Sequence, residues 1–291
     1  MKDVSELVKK VRRIELKTRK IVNELFGGEY HSAFKGQGIE FSEVRQYQYG
    51  DDSRLIDWKV SARHNSPFVK VFQETRELTI LLLYDISYST LFGASANKRD
   101  IAGEIAAVIT FSALQNNDKT GLMLFSDGVE RMIPPEKGRS HSLRIVSEIL
   151  GYNGKHKATN LKKTLAEVDR FLKRPSIIFI LSDFYIEPCS HELQSLARRH
   201  DVVGLQLIDP LEMTLASAGV VPMEDLETGE QMFVSTGRGK KKYAAQFAQH
   251  QEQIATMFKQ ADSELLRIYT DTDYYPVLMK FFKSRVQRLR R

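Results

Sequence analysis

Leu78-Thr79-Ile80-Leu81-Leu82-Leu83-Tyr84-Asp85-Ile86-Ser87-Tyr88-Ser89 is the stretch on which the fold turns. Up to Tyr84 it is a short run rich in Leu and Ile, the pattern of a strand buried on both faces of a parallel sheet. Asp85, Ser87 and Ser89 then fall at that strand's carboxyl end, the edge of an open α/β sheet where ligands bind. A carboxylate and two hydroxyls are hard oxygen donors, suited to a small hard cation such as magnesium. The stretch therefore predicts both a sheet strand and a metal site.

Downstream, strand and helix patterns alternate, as expected for α/β architecture with a doubly wound, mostly parallel sheet flanked by helices. Helical spacing covers roughly 99–115, 140–151, 161–173 and 191–199, and strand-like runs cover 120–125, 129–133, 176–181 and 202–208. Ser126-Asp127-Gly128 is a hairpin signal, so one edge strand should run antiparallel. A second hairpin is expected around Leu226-Glu227-Thr228-Gly229-Glu230, then a long helix over about 241–260, a last strand at 265–269 and a terminal helix. Asp271 and Asp273 are candidate caps for that helix, and its basic tail of Lys283, Arg285, Arg288, Arg290 and Arg291 favours its carboxyl end.

Two further groups share the carboxyl rim if the sheet is wound this way. Asp183 follows Ser176-Ile177-Ile178-Phe179-Ile180-Leu181-Ser182, a strand that would lie beside the first with the topological switch point between them. Thr159, in the polar loop ahead of the helix near Leu161, can reach the same edge. Any one of these residues more often caps a helix or closes a turn. Asp85, Ser87, Ser89, Thr159 and Asp183 in this order make a metal site the better reading.

At 291 residues the chain is long enough for one large domain, or for a main domain with a smaller one attached. A hydrophobic fraction of 42% and a charged fraction of 27% place it among ordinary globular proteins. The net charge of +6 is too small an excess to single out nucleic acid or an anionic surface, and no nucleic-acid partner is expected. The single cysteine, Cys189, excludes a disulfide framework or a thiolate zinc cluster, fits a reducing cytoplasm and reads as an inert thiol. Lys and Arg residues break the apolar pattern near the amino terminus, so no signal peptide or membrane span is expected and any membrane contact would be peripheral. The expectation is a cytoplasmic protein. Without a Gly-Lys-Ser/Thr phosphate loop, it is not expected to hydrolyse ATP.

Val4, Leu7, Val8, Val11, Ile14, Ile21, Val22 and Leu25 follow helical spacing with Lys and Arg opposite them and Gly27-Gly28 as a stop, which predicts an amphipathic helix docked on the body. From Glu29 to Glu77, glycines and Pro67 punctuate short β-prone pieces such as Phe68-Val69-Lys70-Val71-Phe72, which predicts hairpins in a small β-rich subdomain. The expected division is therefore 1–77 and 78–291. His31, Arg45, Asp51, Asp52, Arg54, Asp57, Trp58 and Arg63 crowd the first part. His31 with Asp57 would be the pair for acid and base work. Buried ion pairs and turn residues, with Trp58 as an interface anchor, are the plainer account.

The set Asp85-x-Ser87-x-Ser89, Thr159 and Asp183 resembles the metal-ion-dependent adhesion site of von Willebrand factor A domains. More narrowly, Gly28-Glu29-Tyr30-His31-Ser32, Gly36-Gln37-Gly38-Ile39-Glu40-Phe41-Ser42-Glu43-Val44-Arg45, Gly50-Asp51-Asp52, Ile56-Asp57-Trp58 and Ala62-Arg63 resemble the signature of a bacterial family known as domain of unknown function fifty-eight. The likeness runs from about Leu16 to the final helix and takes in Gly121 to Asp127 and Ser182-Asp183-Phe184. It implies a von Willebrand factor A-like fold and a partnership with a MoxR-type AAA+ ATPase in assembling or remodelling a client complex. It also implies direct magnesium ligation by the serines and the threonine, with the aspartates acting through water; manganese or calcium would suit the same donors. Tyr88, where a small residue is common, and Asn160, where an acidic one is frequent, depart from the pattern without removing a ligand.

A metal ion demanding six oxygens and held by neutral hydroxyls keeps a position for an incoming carboxylate, which describes a conditional protein-binding module and not an enzyme. A magnesium-dependent phosphoesterase or nuclease is the alternative. Against it, a dehalogenase-type phosphatase needs a second carboxylate where Ser87 stands, and a two-metal nuclease needs more direct carboxylates than Asp85 and Asp183. A third reading leaves the site purely structural, stiffening the sheet.

Overall fold

The computed structural model describes residues 4–26, 40–64, 66–73, 77–93, 97–214 and 219–289. The Gly27-Gly28 stop, the signature residues 28–39 with His31, and Arg290 and Arg291 lie outside the described residues.

Described strands are β1 (Glu40–Gln46), β2 (Phe68–Gln73), β3 (Thr79–Asp85), β4 (Lys119–Phe125), β5 (Val129–Glu136), β6 (Ile177–Ser182), β7 (Asp201–Ile208), β8 (Val220–Glu224), β9 (Gln231–Ser235) and β10 (Glu264–Tyr269). Six of them form the central sheet in the order β10-β7-β6-β3-β4-β5. β3 pairs in parallel with β4 on one side and β6 on the other. β7 and β10 extend the parallel run. β5 returns antiparallel beside β4, across the Ser126-Asp127-Gly128 turn. The chain thus leaves β3 in one direction and β6 in the other, which puts the switch point between them.

Alternation along each central strand divides the core into two layers, because successive side chains point to opposite faces. Leu82, Phe179 and Leu205 pack on one side with the helices Lys98–Gln115, Arg139–Gly151 and Tyr275–Leu289. Leu81, Leu83, Ile178 and Ile180 pack on the other with Leu161–Phe171, Ser190–Ala197 and Thr236–Gln260. Gly204 lets the last of these approach closely: a Cβ there would lie 2.5 Å from Phe258 Cζ. Arg285 ties the terminal helix to the sheet edge through Asp201, at 2.6 and 2.7 Å, and through Glu264.

The helix Val4–Phe26 lays Val11, Ile14 and Val22 into the first core layer, and Lys10 and Lys17 reach Asp100 and Glu104 at 3.0 and 2.6 Å. The β-rich expectation for the next segment needs correction. β1 and β2 pair antiparallel, but a short helix, Trp58–His64, lies between them. Asp57 starts it by accepting the backbone N–H of Lys59 and Val60 at 3.0 and 3.2 Å. Trp58 is no buried anchor, being 72% exposed. Nor are the ion pairs there buried: Arg45 forks onto Asp51 at 2.7 and 2.8 Å with its side chain 41% exposed.

Candidate functional site

The site lies on the rim formed by the carboxyl ends of β3, β6 and β7. Asp85 closes β3 with its side chain turned into the protein, 2% exposed. Its Oδ1 accepts the Ser87 N–H at 2.9 Å, which folds the chain back so that Ser87 follows the strand in a tight turn. Its Oδ2 accepts the Ser182 hydroxyl at 2.6 Å, linking β3 to β6. Burial and the nearby Asp183 carboxylate raise the Asp85 pKa well above the usual carboxylate range, against the Ser182 and Ser87 donors that pull it down. In front of this carboxylate the Ser87 and Ser89 hydroxyl oxygens stand 3.1 Å apart.

The backbone turn that carries these serines is clamped from the following helix. Arg99 donates to the Ile86 carbonyl, to the Ser87 carbonyl at 2.8 Å and to Thr90 Oγ1 at 3.1 Å. Lys98, beside it, is 1% exposed and places its ammonium 2.6 Å from Asp183 Oδ2 and 2.5 Å from Glu212 Oε1. Burial opposes the charge on Lys98, yet the two carboxylates outweigh it and hold its pKa above the ordinary value. Glu212 belongs to a capping box after β7, in which Asp209 accepts the Leu211 N–H and Glu212 returns to the Asp209 N–H at 3.1 Å. Asp183 Oδ1 accepts the Tyr185 N–H at 3.3 Å. Both aspartates are thus held by protein donors behind the hydroxyls.

Thr159 arrives on a loop ordered by Glu130 of β5. Glu130 accepts the backbone N–H of Lys155 and His156 at 2.8 and 3.3 Å and the Ser126 hydroxyl at 2.6 Å. The Asn160 N–H donates to the Ser126 carbonyl at 2.7 Å, and the Asn160 side chain caps the next helix; this is the work done at the position where the resemblance leads one to expect an acidic residue. Tyr88 donates its N–H to the Lys157 carbonyl at 3.0 Å and lies with its ring under the Lys157 ammonium, which joins the serine turn to the threonine loop. The Thr159 hydroxyl donates to Glu227 Oε1 at 2.7 Å, and the Ser89 hydroxyl is near enough to the same carboxylate to lower its pKa. Burial raises the Glu227 pKa, against those two hydroxyls.

Asp85, Ser87, Ser89, Thr159 and Asp183 therefore meet on one rim. Ser182, Lys98, Arg99, Glu212, Glu130 and Glu227 are the parts that the strand and loop patterns did not single out. For Glu212 a signal existed, since Asp209-Pro210-Leu211-Glu212 has the spacing of a capping box.

The donor set fits a hard divalent cation. An octahedral shell with metal–oxygen bonds of about 2.1 Å has neighbouring oxygens about 3 Å apart, and the Ser87–Ser89 and Thr159–Glu227 separations are 3.1 and 2.7 Å. Among the described residues no group of three or more His, Cys, Asp or Glu is placed to hold a metal ion, so a cation here would rest on hydroxyls. Cys189 stays out of such chemistry, buried with its thiol pKa pushed up to about 12 by that burial.

Fold and rim together define an α/β protein whose switch point carries hydroxyls backed by buried carboxylates. The chain belongs to the family described as "Protein of unknown function DUF58", whose profile matches residues 43–253. The uncharacterized protein Rv1480 of Mycobacterium tuberculosis is 29% identical over 291 residues, covering 97% of this chain and 91% of that protein. The uncharacterized protein YeaD of Bacillus subtilis is 34% identical over 101 residues, 34% of this chain and 23% of its own length. Among solved structures, the conserved hypothetical protein BatB of Bacteroides thetaiotaomicron aligns at 12% identity and TM-score 0.46 over 72% of this chain and 99% of its own. An aerotolerance-related membrane protein of Bacteroides fragilis aligns at 14% identity and TM-score 0.47 with the same coverage, 72% and 99%. Likeness of this degree bears on neither site nor function. Among the described residues no helix is long and apolar enough to cross a membrane.

Proposed function

We propose that the chain is a von Willebrand factor A-like, metal-dependent binding adaptor that acts with a MoxR-type AAA+ ATPase in assembling or remodelling another protein complex. The observation that carries this reading is the Ser87–Ser89 hydroxyl pair, 3.1 Å apart at the switch point, with Thr159 brought to the same rim and Glu227 near both Ser89 and Thr159. Ser87, Ser89 and Thr159 would hold a magnesium ion directly, and Asp85 and Asp183 would support it from behind. The ion would supply an electrophilic position for an acidic side chain of the partner. The surroundings favour a protein partner over a phosphate ester. Leu91, Tyr185, Leu211 and Met213 follow strand ends on this same rim and are 42, 40, 52 and 40% exposed, an apolar border of the kind that protein contacts cover.

The test is binding of the purified chain to a MoxR-type ATPase with magnesium or with chelator, for wild type, Ser87→Ala and Asp85→Ala. Chelation and either substitution should each weaken binding at least about tenfold, the lower range for lost metal support. Binding indifferent to both chelation and Ser87→Ala overturns the proposal. Metal-dependent cleavage of a phosphodiester that Asp85→Ala abolishes would replace it with the hydrolase reading.

A further inference from the structure

Glu227 sits at the tip of the β8–β9 hairpin, some distance in sequence from every other residue of the rim. Between 222 and 230 it is the one residue that is half-buried while the rest are exposed. The tip is built to present it: Asp225 Oδ1 accepts the N–H of Glu227 and Thr228 at 2.8 and 2.9 Å, and Gly229 closes the turn at φ +76 by donating to the Asp225 carbonyl at 2.7 Å. The strands behind the tip pack little, with Val220, Met232 and Phe233 exposed at 65, 57 and 80%. At the rim the carboxylate of Glu227 accepts the Thr159 hydroxyl at 2.7 Å, with the Ser89 hydroxyl nearby.

The charge pattern makes this placement odd without a cation. Lys98 pairs with Asp183, yet Glu227 brings a further carboxylate to the rim, where desolvation and the remaining field of Asp183 both disfavour its ionised form. A divalent cation among the hydroxyls removes the conflict. The 2.7 Å bond to Thr159, with Ser89 nearby, also sets Glu227 beside two of the three hydroxyl ligands, the relation that neighbouring members of one coordination shell bear to each other.

We propose that Glu227 is an internal carboxylate ligand of the cation: it fills the position that a partner's acidic side chain takes, so a partner binds by displacing the hairpin tip. This rests on reading the hydroxyl cluster as a cation site, and the experiment separates the two. Manganese alone is titrated into the full chain and followed by electron paramagnetic resonance and by water-proton relaxation, for wild type, Ser87→Ala and Glu227→Gln. Thermal melting confirms that each variant is folded. Wild type should bind one manganese ion per chain, and Ser87→Ala should lose that binding. Glu227→Gln should bind about tenfold or more weakly, with stronger water relaxation per bound ion because water enters the vacated position. Acetate should then suppress that relaxation in Glu227→Gln and leave wild type unchanged. If Ser87→Ala abolishes binding while Glu227→Gln equals wild type in both affinity and relaxation, the cation site stands and the internal ligand is wrong. If wild type binds no manganese, or Ser87→Ala binds as wild type does, the cation site itself fails and this inference fails with it.

Discussion

Replacing Lys98 by methionine should unfold the protein several degrees earlier while leaving its volume nearly intact. The methionine keeps the apolar stem that runs between Phe92 and Tyr185, whose ring centroids lie 5.8 and 5.6 Å from the ammonium, so the loss is electrostatic and not a cavity. Without the ammonium, Asp183 and Glu212 remain as carboxylates 1 and 10% exposed at the side chain with no cation between them. Removing one partner of a buried pair costs about 3–5 kcal/mol. Proton uptake sets a ceiling of similar size: neutralising a carboxyl of ordinary pKa 4.5 at neutral pH costs about 3–4 kcal/mol, at about 1.4 kcal/mol per unit. With an unfolding entropy of about 2.1 cal/mol/K per residue, 291 residues give about 0.6 kcal/mol/K, so Tm should fall about 5–8 °C. Calorimetry in chelator at neutral pH reads this directly. The double variant Lys98→Met with Glu212→Gln should recover part of the loss, since one buried charge then remains where there were two. A Tm for Lys98→Met within about 1 °C of wild type would refute the reasoning, since that corresponds to well under 1 kcal/mol where about 3–5 is expected.

Asp118 carries a pH dependence. Burial raises its pKa to about 7, Oδ1 accepts the Leu78 N–H at 2.9 Å, and Oδ2 has no partner. The native carboxyl therefore keeps a proton that the unfolded chain gives up near 3.8. Its stabilising contribution is full below about pH 4, declines as pH rises and is gone above about pH 7. Asp118→Asn should leave stability near wild type below about pH 4 and raise it by about 1–3 kcal/mol at about pH 8, read from urea midpoints; equal effects at both would sink the assignment. Gly204→Ala drives a methyl to 2.5 Å from Phe258 Cζ and 2.8 Å from Leu265 Cδ1, and should destabilise by about 1–3 kcal/mol, with Phe258→Leu in the same chain restoring part of it. Glu130→Ala frees the amides of Lys155 and His156. Loss of a bond worth about 1 kcal/mol should speed their hydrogen exchange about fivefold while amides of β3 stay protected.

The heart of the central sheet was legible because β3 and β6 are so uniformly apolar that nothing but full burial fits them. The run to Tyr84 and the run to Leu181 each end on polar residues, and a parallel sheet has its ligand edge there. What remained hidden was what distant loops bring to that edge. Lys98 reads locally as one more charged residue at a helix start; only the meeting of β3, β6 and β7 turns it inward. Glu227 was visible as a turn residue, but the reach of a hairpin is not a local property. Trp58 misled in the other direction, since a large indole is usually buried and this one stands out on a short helix. That helix was masked by the β-prone pieces around it, although Asp57 followed by Lys59 and Val60 amides has the geometry of a cap.

On the proposed reading, Lys98 does more than stabilise the fold. Its ammonium, 2.6 Å from Asp183, cancels negative charge that would attract a cation and repels the cation arriving among the hydroxyls. Cation affinity is therefore kept low until a carboxylate joins, whether Glu227 or one from a partner. Cation and carboxylate then strengthen each other by the same factor, because coupling between two bound groups is reciprocal. Lys98→Met should thus move two properties in opposite directions, lowering Tm while tightening manganese binding. Unit charges about 4 Å apart interact by about 4 kcal/mol at an effective dielectric of 20, and a third of that is a tenfold gain in affinity, about 1.4 kcal/mol. The titration is run well below the melting temperature of the variant, beside Ser87→Ala as the blank. Manganese held more weakly by folded Lys98→Met than by wild type would mean that the ammonium supports the cation through Asp183 instead of opposing it, and the conditional character of the site would need another cause.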